Sequence, residues 1–340
     1  MVIYSRLQKI FSHWRPTMEI FNLTLRQTMM MFLFIVIGFV LRKTKILPEN
    51  SDTAMSRLET YVFVPALNLY NMLNNCTVKN FTQNSVLIAY GGVLIVVAIA
   101  LAYVLSRIFV PKTDGSPDLA YRRNVYKYDM TFGNYGFMGN FIVLGVWGEA
   151  FIFKYSMLTL SVALFCGSWG LYILIPKDKN VGSVWKNISK GIFAPPMIAL
   201  AVGVICGLLG LRRYVPEIII SALSNASDCM GPVAMLLAGF VIAGYDFKGL
   251  LKGKKVYVAT VLRLIVIPAV MMLLLKAIGT NDEIMTLALI AFATPLGLNT
   301  IVYPAAYGGE TRTGASMAMI SHTLSVVTIP LMYLIFIVLL

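Results

Sequence analysis

Charged residues and histidine are scarce in this sequence. Of its 340 residues, 13% are charged and 58% are hydrophobic, and the mean hydropathy is +0.78. Soluble domains are about 25% charged and about 45–50% apolar. A water-soluble globule of this size has no need for so much apolar surface, so the excess must face lipid. The composition therefore excludes a water-soluble protein and predicts an integral membrane protein.

Motifs for catalysis, nucleotide hydrolysis and metal binding are also missing. The sequence contains no HExxH, GxSxG or GxxxxGK[ST] pattern. Its two histidines, His13 and His322, exclude a site built from several histidines, and its four cysteines show no metal-ligand spacing. These absences predict a chain that is not an enzyme and needs no cofactor or metal. Without a site for ATP, any transport must be driven by a gradient.

Ten apolar stretches run through the sequence, and we number them helices 1 to 10. A membrane helix needs about 20 residues to cross a bilayer core of about 30 Å. The stretches are residues 19–41, 53–75, 84–110, 125–147, 150–175, 188–210, 216–243, 254–278, 284–308 and 312–340. The predicted fold is an all-α membrane protein with ten transmembrane helices.

A polar connection divides these helices into two sets of five. The predicted units are a basic N-terminal extension (1–17), a first five-helix repeat (18–176), a cytoplasmic linker (177–187) and a second repeat (188–340). Five helices per half place the halves in opposite orientations, which is the arrangement of an inverted repeat. Pro48 and Pro65 in the first half correspond to Pro216 and Pro232 in the second. Pro65 and Pro232 are interpreted either as structural kinks or as a hinge or wall of a binding cavity.

The net charge of +13 does not indicate nucleic-acid binding, because Lys and Arg lie in short loops rather than on one polar face. The loops after helices 1, 3, 5 and 7 carry most of them. Under the positive-inside rule these loops are cytoplasmic, so both termini are predicted to be extracytoplasmic. We expect a multi-pass protein of the plasma or inner membrane, with the lipid bilayer as a partner and no nucleic acid.

Two helices contain residues that interrupt a helix at bilayer depth. Gly is costly in a helix interior, and Pro removes a backbone hydrogen bond. Asn is expensive in hydrocarbon unless it has a partner. These residues are Gly133, Asn134, Gly136, Gly139 and Asn140 in helix 4, and Pro295, Gly297, Asn299, Thr300 and Pro304 in helix 9.

Interruptions at matching positions of two halves are the best sequence indication of a transporter's binding site. Unwound backbone is tolerated in a membrane where it lines a cavity. The N-termini of half-helices carry partial positive charge and N–H donors, which suit a carboxylate. We therefore predict that substrate binds between helices 4 and 9. The alternative is that these residues only kink helices that pack through small side chains.

Ionisable residues inside the predicted helices are candidates for coupling or ion pairing. Asp228 in helix 7 either carries a coupling proton or pairs with a basic residue. Arg263 in helix 8 either attracts an anionic substrate or neutralises an acid. His322 in helix 10 either exchanges protons or is a packed side chain. Glu59, in the first turns of helix 2, is expected to be solvated near the cytoplasmic interface.

Six segments, in order and at the right spacing, resemble the auxin efflux carrier family. This family includes bacterial malonate- and malate-type permeases and is related to the plant PIN carriers. The segments are GFVLRKTKILPE from Gly38, VFVPALNLYNML from Val62, GNYGFMG from Gly133, LSNASDCMGPVAMLLAG from Leu223, ATPLGLNTIVYPAAYGG from Ala293 and SVVTIP from Ser325. The similarity runs from about residue 20 to residue 340.

The resemblance implies two inverted five-helix repeats whose broken helices 4 and 9 cross at the substrate site. Helices 1, 2, 6 and 7 would form a scaffold, and the others a transport domain that moves like an elevator. It implies that Asn134 begins the helix 4 crossover, followed by Tyr135, and that Pro295 and Asn299 mark the helix 9 crossover. PIN carriers are homodimers, so a homodimer is a candidate assembly here.

The chain departs from the family pattern at one position of helix 4. The family usually has Pro soon after the second Gly of the motif, whereas Gly139 is followed here by Asn140 and Phe141. Helix 4 is therefore expected to be broken by glycines alone, or less sharply. This difference bears on whether Asn140 contacts substrate and on which substrate is preferred.

The primary hypothesis is an alternating-access efflux carrier for small carboxylates, in which Asn134 and Asn299 hydrogen-bond the substrate. The second hypothesis is a cation- or proton-coupled exchanger or symporter with a related inverted-repeat fold. It requires an acid beside the crossover, where the nearest candidate is Asp129. The third hypothesis is a membrane receptor or scaffold protein that moves nothing, and the absence of a domain outside the membrane counts against it.

Overall fold

The computed structural model describes residues 2–114, 116–175, 193–251, 253–297, 299–301 and 310–340, and side chains from Ile20 onward, except those of 247 and 248. The predicted linker at 177–187 and Pro304 lie outside these residues. All regular elements in the described part of the chain are helices, and two residues form one isolated β-bridge.

The first half begins with a helix that is longer than its apolar stretch. Helix 1 is continuous from Val2 to Lys43, so it includes the segment expected as an extension. The other elements are helix 2 in three consecutive segments (Ser51–Leu58, Glu59–Phe63 and Val64–Asn75), helix 3 (Val78–Phe109), half-helices 4a (Pro117–Thr131) and 4b (Tyr135–Trp147), and helix 5 (Glu149–Leu174). Half-helix 4a begins at a capping Ser116, whose hydroxyl accepts from the Leu119 amide, with Pro117 in the first turn.

The second half has a corresponding series of helices. These are helix 6 (Pro195–Leu208), helix 7 (Glu217–Ala243), helix 8 (Lys254–Ala277), half-helix 9a (Asp282–Ala293) and helix 10 (Arg312–Leu339), with a short helix Phe247–Leu251 between helices 7 and 8. Half-helix 9a begins at Asn281, whose side chain accepts from the Ile284 amide. Residues 299–301 are again helical.

Six helices of the described chain are long and apolar enough to cross a membrane, namely helices 1, 3, 5, 7, 8 and 10. Half-helix 4b and helix 6 are apolar but shorter. Helix 2 carries Asp52, Arg57 and Glu59, and helix 9 is interrupted. The expectation of an all-helical protein with several membrane spans is therefore confirmed, while the ten-span inverted repeat stays a prediction.

Helices 1, 2, 6 and 7 pack together as one group. Helices 1 and 7 approach each other closely at Gly38 and Gly239. A Cβ atom at Gly38 would lie 2.0 Å from the carbonyl oxygen of Leu236, and one at Gly239 would lie 1.8 Å from that of Ile35. Small residues that let helix backbones approach in this way are typical of helix–helix interfaces in membranes.

Candidate functional site

Helices 4 and 9 are both interrupted, and the two interruptions contact each other. Helix 4 is non-helical between Thr131 and Tyr135, and helix 9 is non-helical from Thr294 to Gly297. Gly133 and Leu296 form an antiparallel bridge, and the Asn134 amide donates to the carbonyl oxygen of Pro295 over 2.6 Å. The two extended segments thus satisfy part of each other's backbone hydrogen bonding, as buried backbone requires. We call this contact the crossing.

Two glycines allow the backbones to meet at the crossing. A Cβ atom at Gly133 would lie 2.0 Å from Nη2 of Arg263 and 2.5 Å from Oγ1 of Thr294. A Cβ atom at Gly297 would lie 3.4 Å from the carbonyl oxygen of Gly133, so that contact is only tight. There is therefore no room for a side chain at Gly133, and there is little room for one at Gly297.

Half-helix 4b begins directly at the crossing and presents its N-terminus there. Its first turn, Tyr135–Gly139, is a π-helical turn, and helix 4 resumes there without a proline. The first amides of a helix have no intrahelical acceptor and carry partial positive charge. A Cβ atom at Gly136 would meet no atom within 4 Å, whereas one at Gly139 would lie 2.1 Å from the Tyr155 hydroxyl. Open space therefore adjoins this N-terminus at Gly136.

Asn134 lies at the crossing but its side chain contacts His322 of helix 10. Asn134 is 2% exposed, and its Nδ2 lies 3.2 Å from Nε2 of His322. Nδ1 of His322 lies 2.7 Å from the carbonyl oxygen of Ala318. Because a carbonyl oxygen only accepts, Nδ1 carries the proton and Nε2 accepts from the Asn134 amide. His322 is therefore a neutral partner of Asn134 in this arrangement.

Asn299 has a different set of partners. Its Nδ2 donates to the Tyr128 hydroxyl over 2.9 Å and lies 3.7 Å from Sγ of Cys166. The neighbouring Thr300 is buried and donates to the carbonyl oxygen of Gly297 over 3.1 Å. Tyr135 and Asn140, which were also predicted to bind substrate, are half-buried. The predicted substrate residues thus lie around one crossing, but both asparagine amides have protein partners.

Arg263 reaches the crossing from helix 8 and is fully buried. It donates to the carbonyl oxygens of Thr294 (3.2 Å), Met130 (3.4 Å) and Thr131 (3.5 Å). In the part of the chain that the structure describes, no acidic side chain lies within 4.0 Å of it. Asp129 is also buried, and its Oδ2 has no hydrogen-bond partner. Arg263 therefore hydrogen-bonds to backbone carbonyls, while it and Asp129 attract each other electrostatically without touching, and its neutralisation of an acid stays a prediction.

Asp228 and Pro65 line cavities to which no residue of the crossing contributes. Asp228 is an exposed residue of helix 7 beside a small polar cavity of about 30 Å³, which Tyr70 and Glu149 also line. Tyr70 donates to Glu149 over 3.1 Å, and among the described residues no basic group pairs with Asp228. Pro65 lines an apolar groove of about 500 Å³ between helices 2, 6 and 7, and Pro232 lies inside helix 7.

The expectation that Glu59 is solvated is wrong. Glu59 is 1% exposed, and neither of its carboxylate oxygens has a hydrogen-bond partner. It begins the π-helical turn Glu59–Phe63, which packs against helices 6 and 7. That packing, which the apolar pattern of helix 2 alone does not indicate, buries the carboxyl group.

Sequence reasoning missed a cavity at the end of helix 1. Its volume is about 620 Å³, and it lies between helices 1, 2 and 7 and the start of the second part of helix 9. Its lining includes Arg42, Arg57, Asp52, Tyr245 and Ile301. The signal that could have indicated it is the pair of arginines flanking the loop between helices 1 and 2.

The fold and the crossing define the class of the protein as a polytopic membrane transporter, with several apolar spans and two interrupted helices in contact. Residues 24–184 and 179–333 match the family model described as membrane transport protein. The chain belongs to this family, which is that of the auxin efflux carriers. It is a transport family rather than a family of enzymes. No curated protein matches the chain.

Proposed function

We propose that the protein is a secondary transporter that moves small organic anions, in particular carboxylates, by alternating access at the crossing. The observation that carries this proposal is the N-terminus of half-helix 4b, which begins at the crossing beside open space at Gly136. A helix N-terminus is equivalent to roughly half a positive charge and offers unpaired N–H donors. A carboxylate is the ligand that such a terminus attracts without help from a metal.

Two cavities of unequal size support the alternating-access part of the proposal. The larger, of about 620 Å³, adjoins Asp52 at one end of helix 2, and the smaller, of about 30 Å³, adjoins Asn75 at the other. Both lie where helices 2 and 7 face elements of another group, at Ile301 in the larger and at Glu149 in the smaller. A carrier that is open to one side of the membrane is expected to have a large cavity on that side and a nearly closed one on the other. With the predicted orientation, the open side is the cytoplasmic one.

The remaining features of the proposal follow the family. We propose two inverted five-helix repeats, with the group of helices 1, 2, 6 and 7 as a scaffold against which the other helices move. The close contacts of Gly38 and Gly239 support a rigid scaffold. A homodimer, a location in the plasma or inner membrane, and extracytoplasmic termini belong to the same proposal.

Uptake into proteoliposomes tests this function. The purified protein is assayed with labelled malonate, malate, lactate and an indole carboxylate, and Gly136→Ala is compared with the wild type. One misplaced methyl group in a binding site changes discrimination by about 10-fold to 200-fold, so we expect Gly136→Ala to raise KM by about tenfold. The matched control is Gly92→Ala in helix 3, where a Cβ atom would make an ordinary contact of 3.6 Å with Ser161.

The outcomes separate the activity from the site. Saturable uptake that Gly136→Ala weakens and Gly92→Ala leaves unchanged supports both. Uptake that is equal in all three proteins would place the substrate elsewhere. No uptake of any acid, with or without a proton gradient, would contradict the organic-anion proposal.

Asp129 favours a second candidate function, a cation- or proton-coupled exchanger or symporter. It is a buried acid next to the interruption of helix 4, and its Oδ2 has no partner. Buried unpaired acids in membrane proteins commonly mark ion or proton pathways. Transport that requires a cation or proton gradient, and that Asp129→Asn abolishes, would establish this function instead.

A further inference from the structure

Arg263 contacts the C-terminal ends of two separate half-helices. Its acceptors Met130 and Thr131 are the last residues of half-helix 4a, and its third acceptor, Thr294, directly follows half-helix 9a. The residue itself lies in a π-helical turn of helix 8, Leu262–Val266, and is 0% exposed. One guanidinium group therefore joins three elements at the crossing.

The charge of the guanidinium group matches what the two helix ends require. Each helix C-terminus is equivalent to roughly half a negative charge, so the two ends together present about one negative charge. In carriers with broken helices, such C-terminal ends and unwound carbonyl groups are where a coupling cation is coordinated. A buried guanidinium group supplies the same single positive charge and donates to the same kind of oxygen.

The surroundings of Arg263 fit a cation held by carbonyl groups rather than an ion pair. Among the residues that the structure describes, no carboxylate lies within 4.0 Å of it, and the buried acid Asp129 attracts it only from a greater distance. Its Nη2 has no hydrogen-bond partner. A Cβ atom at Gly133 would lie only 2.0 Å from this nitrogen. The crossing is thus shaped around this group.

We propose that Arg263 is a tethered cation, which takes the place of a free coupling cation at the crossing and makes transport independent of Na⁺ and K⁺. It is a positioning residue, because its bonds reach the carbonyl ends of 4a and 9a, while the open space adjoins the N-terminus of 4b. The transport consequence rests on the proposed function. The charge balance at the two helix ends does not.

The first test needs no substitution. Uptake by the wild type is measured with Na⁺, K⁺ or choline as the sole monovalent cation on both sides of the membrane. We expect the same initial rate with all three cations, because a cation with no differential affinity for the carrier's states shifts no equilibrium between them. A requirement for Na⁺ or K⁺ would overturn the proposal, because a second cation would then be needed at the site.

The second test removes the tethered charge and supplies it from solution. Arg263→Ala should lower uptake by about a hundredfold or more, as loss of a preorganised electrostatic group does. Guanidinium at tens of millimolar should restore part of that uptake and raise the melting temperature of this variant in detergent. The control is Arg107→Ala, an exposed position at the end of helix 3, where guanidinium should do neither. The proposal would be overturned if guanidinium changed neither the uptake nor the melting temperature of Arg263→Ala.

A conservative pair covers the case in which Arg263→Ala does not fold. Arg263→Lys keeps a positive charge and Arg263→Gln keeps hydrogen bonding without charge. We expect Arg263→Lys to retain more uptake than Arg263→Gln because it keeps the positive charge, and equal activities would contradict a role for the charge. If the wild type transports no acid, the melting temperatures still test whether Arg263 acts as a tethered cation. Selective stabilisation of Arg263→Ala by guanidinium would support the tethered cation while the proposed function fails, and no stabilisation would reject it.

Discussion

At the residue scale, two glycines three positions apart have opposite environments. Gly133 is enclosed by the Arg263 and Thr294 side chains, whereas Gly136 adjoins open space. One is required for the crossing to form, and the other leaves room for a ligand. Composition alone predicts both as helix breakers and cannot distinguish them, because the difference depends on contacts with helices 8 and 9.

This difference predicts opposite effects of one methyl group on stability. Gly133→Ala must displace Arg263 or Thr294, which we expect to lower the free energy of unfolding by about 1–3 kcal/mol, the usual cost of overpacking. Gly136→Ala meets no atom and should melt at the wild-type temperature or slightly above it, since Ala is the better helix former. Thermal unfolding in detergent checks both variants. Equal melting temperatures would mean that the crossing is looser than these distances indicate.

His322 gives a second prediction at this scale. Its Nε2 accepts from the buried Asn134 amide, so His322→Leu leaves that amide without a partner, at a cost of about 1–3 kcal/mol. His322→Gln retains a side-chain acceptor at a similar distance from the backbone. We expect Leu to lower both uptake and melting temperature more than Gln does. If Leu and Gln behave alike, the hydrogen bond to Asn134 does not hold the crossing.

At the scale of elements, the sequence predicts where helices are interrupted better than what the interruptions contact. Pro295 and the glycines of helix 4 act on their own backbone, so their effect is local and can be read from composition. The partners of Asn299 lie more than a hundred residues away along the chain. Those of Arg263 lie 31 and 133 residues away. Such contacts depend on how the helices pack, and helix packing cannot be inferred from a single sequence.

Glu59 shows the same limit for burial. Its position in the first turns of helix 2 indicated the membrane interface, where carboxylates are solvated. The π-helical turn that starts at Glu59 instead packs against helices 6 and 7 and leaves it 1% exposed. Hydropathy describes how apolar a segment is, but a change in helical phase decides which side of it faces the protein.

At the scale of the whole molecule, helices 1, 2, 6 and 7 form one group, which meets the helices that carry the crossing along a boundary where helix 1 packs against helix 10 and half-helix 4b. The two cavities lie at opposite ends of the boundary between them. In the proposed mechanism, movement of one part against the other closes the larger cavity and opens the smaller. The crossing would then be exposed to each side of the membrane in turn.

Cysteine labelling tests this movement. Ser56 lines the larger cavity and Ser224 the smaller. Each is replaced by Cys in a background where Cys206 and Cys229, the two native cysteines that are not buried, are replaced by Ser. A membrane-impermeant maleimide should label position 56 rapidly from the cytoplasmic side. It should label position 224 only from the opposite side, and more slowly, because the smaller cavity is nearly closed.

Cross-linking the two sides of the smaller cavity should stop transport. Tyr70 and Glu149 face each other across it, with the Tyr70 hydroxyl 3.1 Å from Oε1 of Glu149. A short thiol cross-linker joining Tyr70→Cys to Glu149→Cys should abolish transport and labelling at 224, while labelling at 56 continues. Each single cysteine variant, treated in the same way, controls for the substitutions. Transport that persists after complete cross-linking would show that helices 2 and 5 do not separate during the cycle, so the substrate would have to cross without the proposed movement.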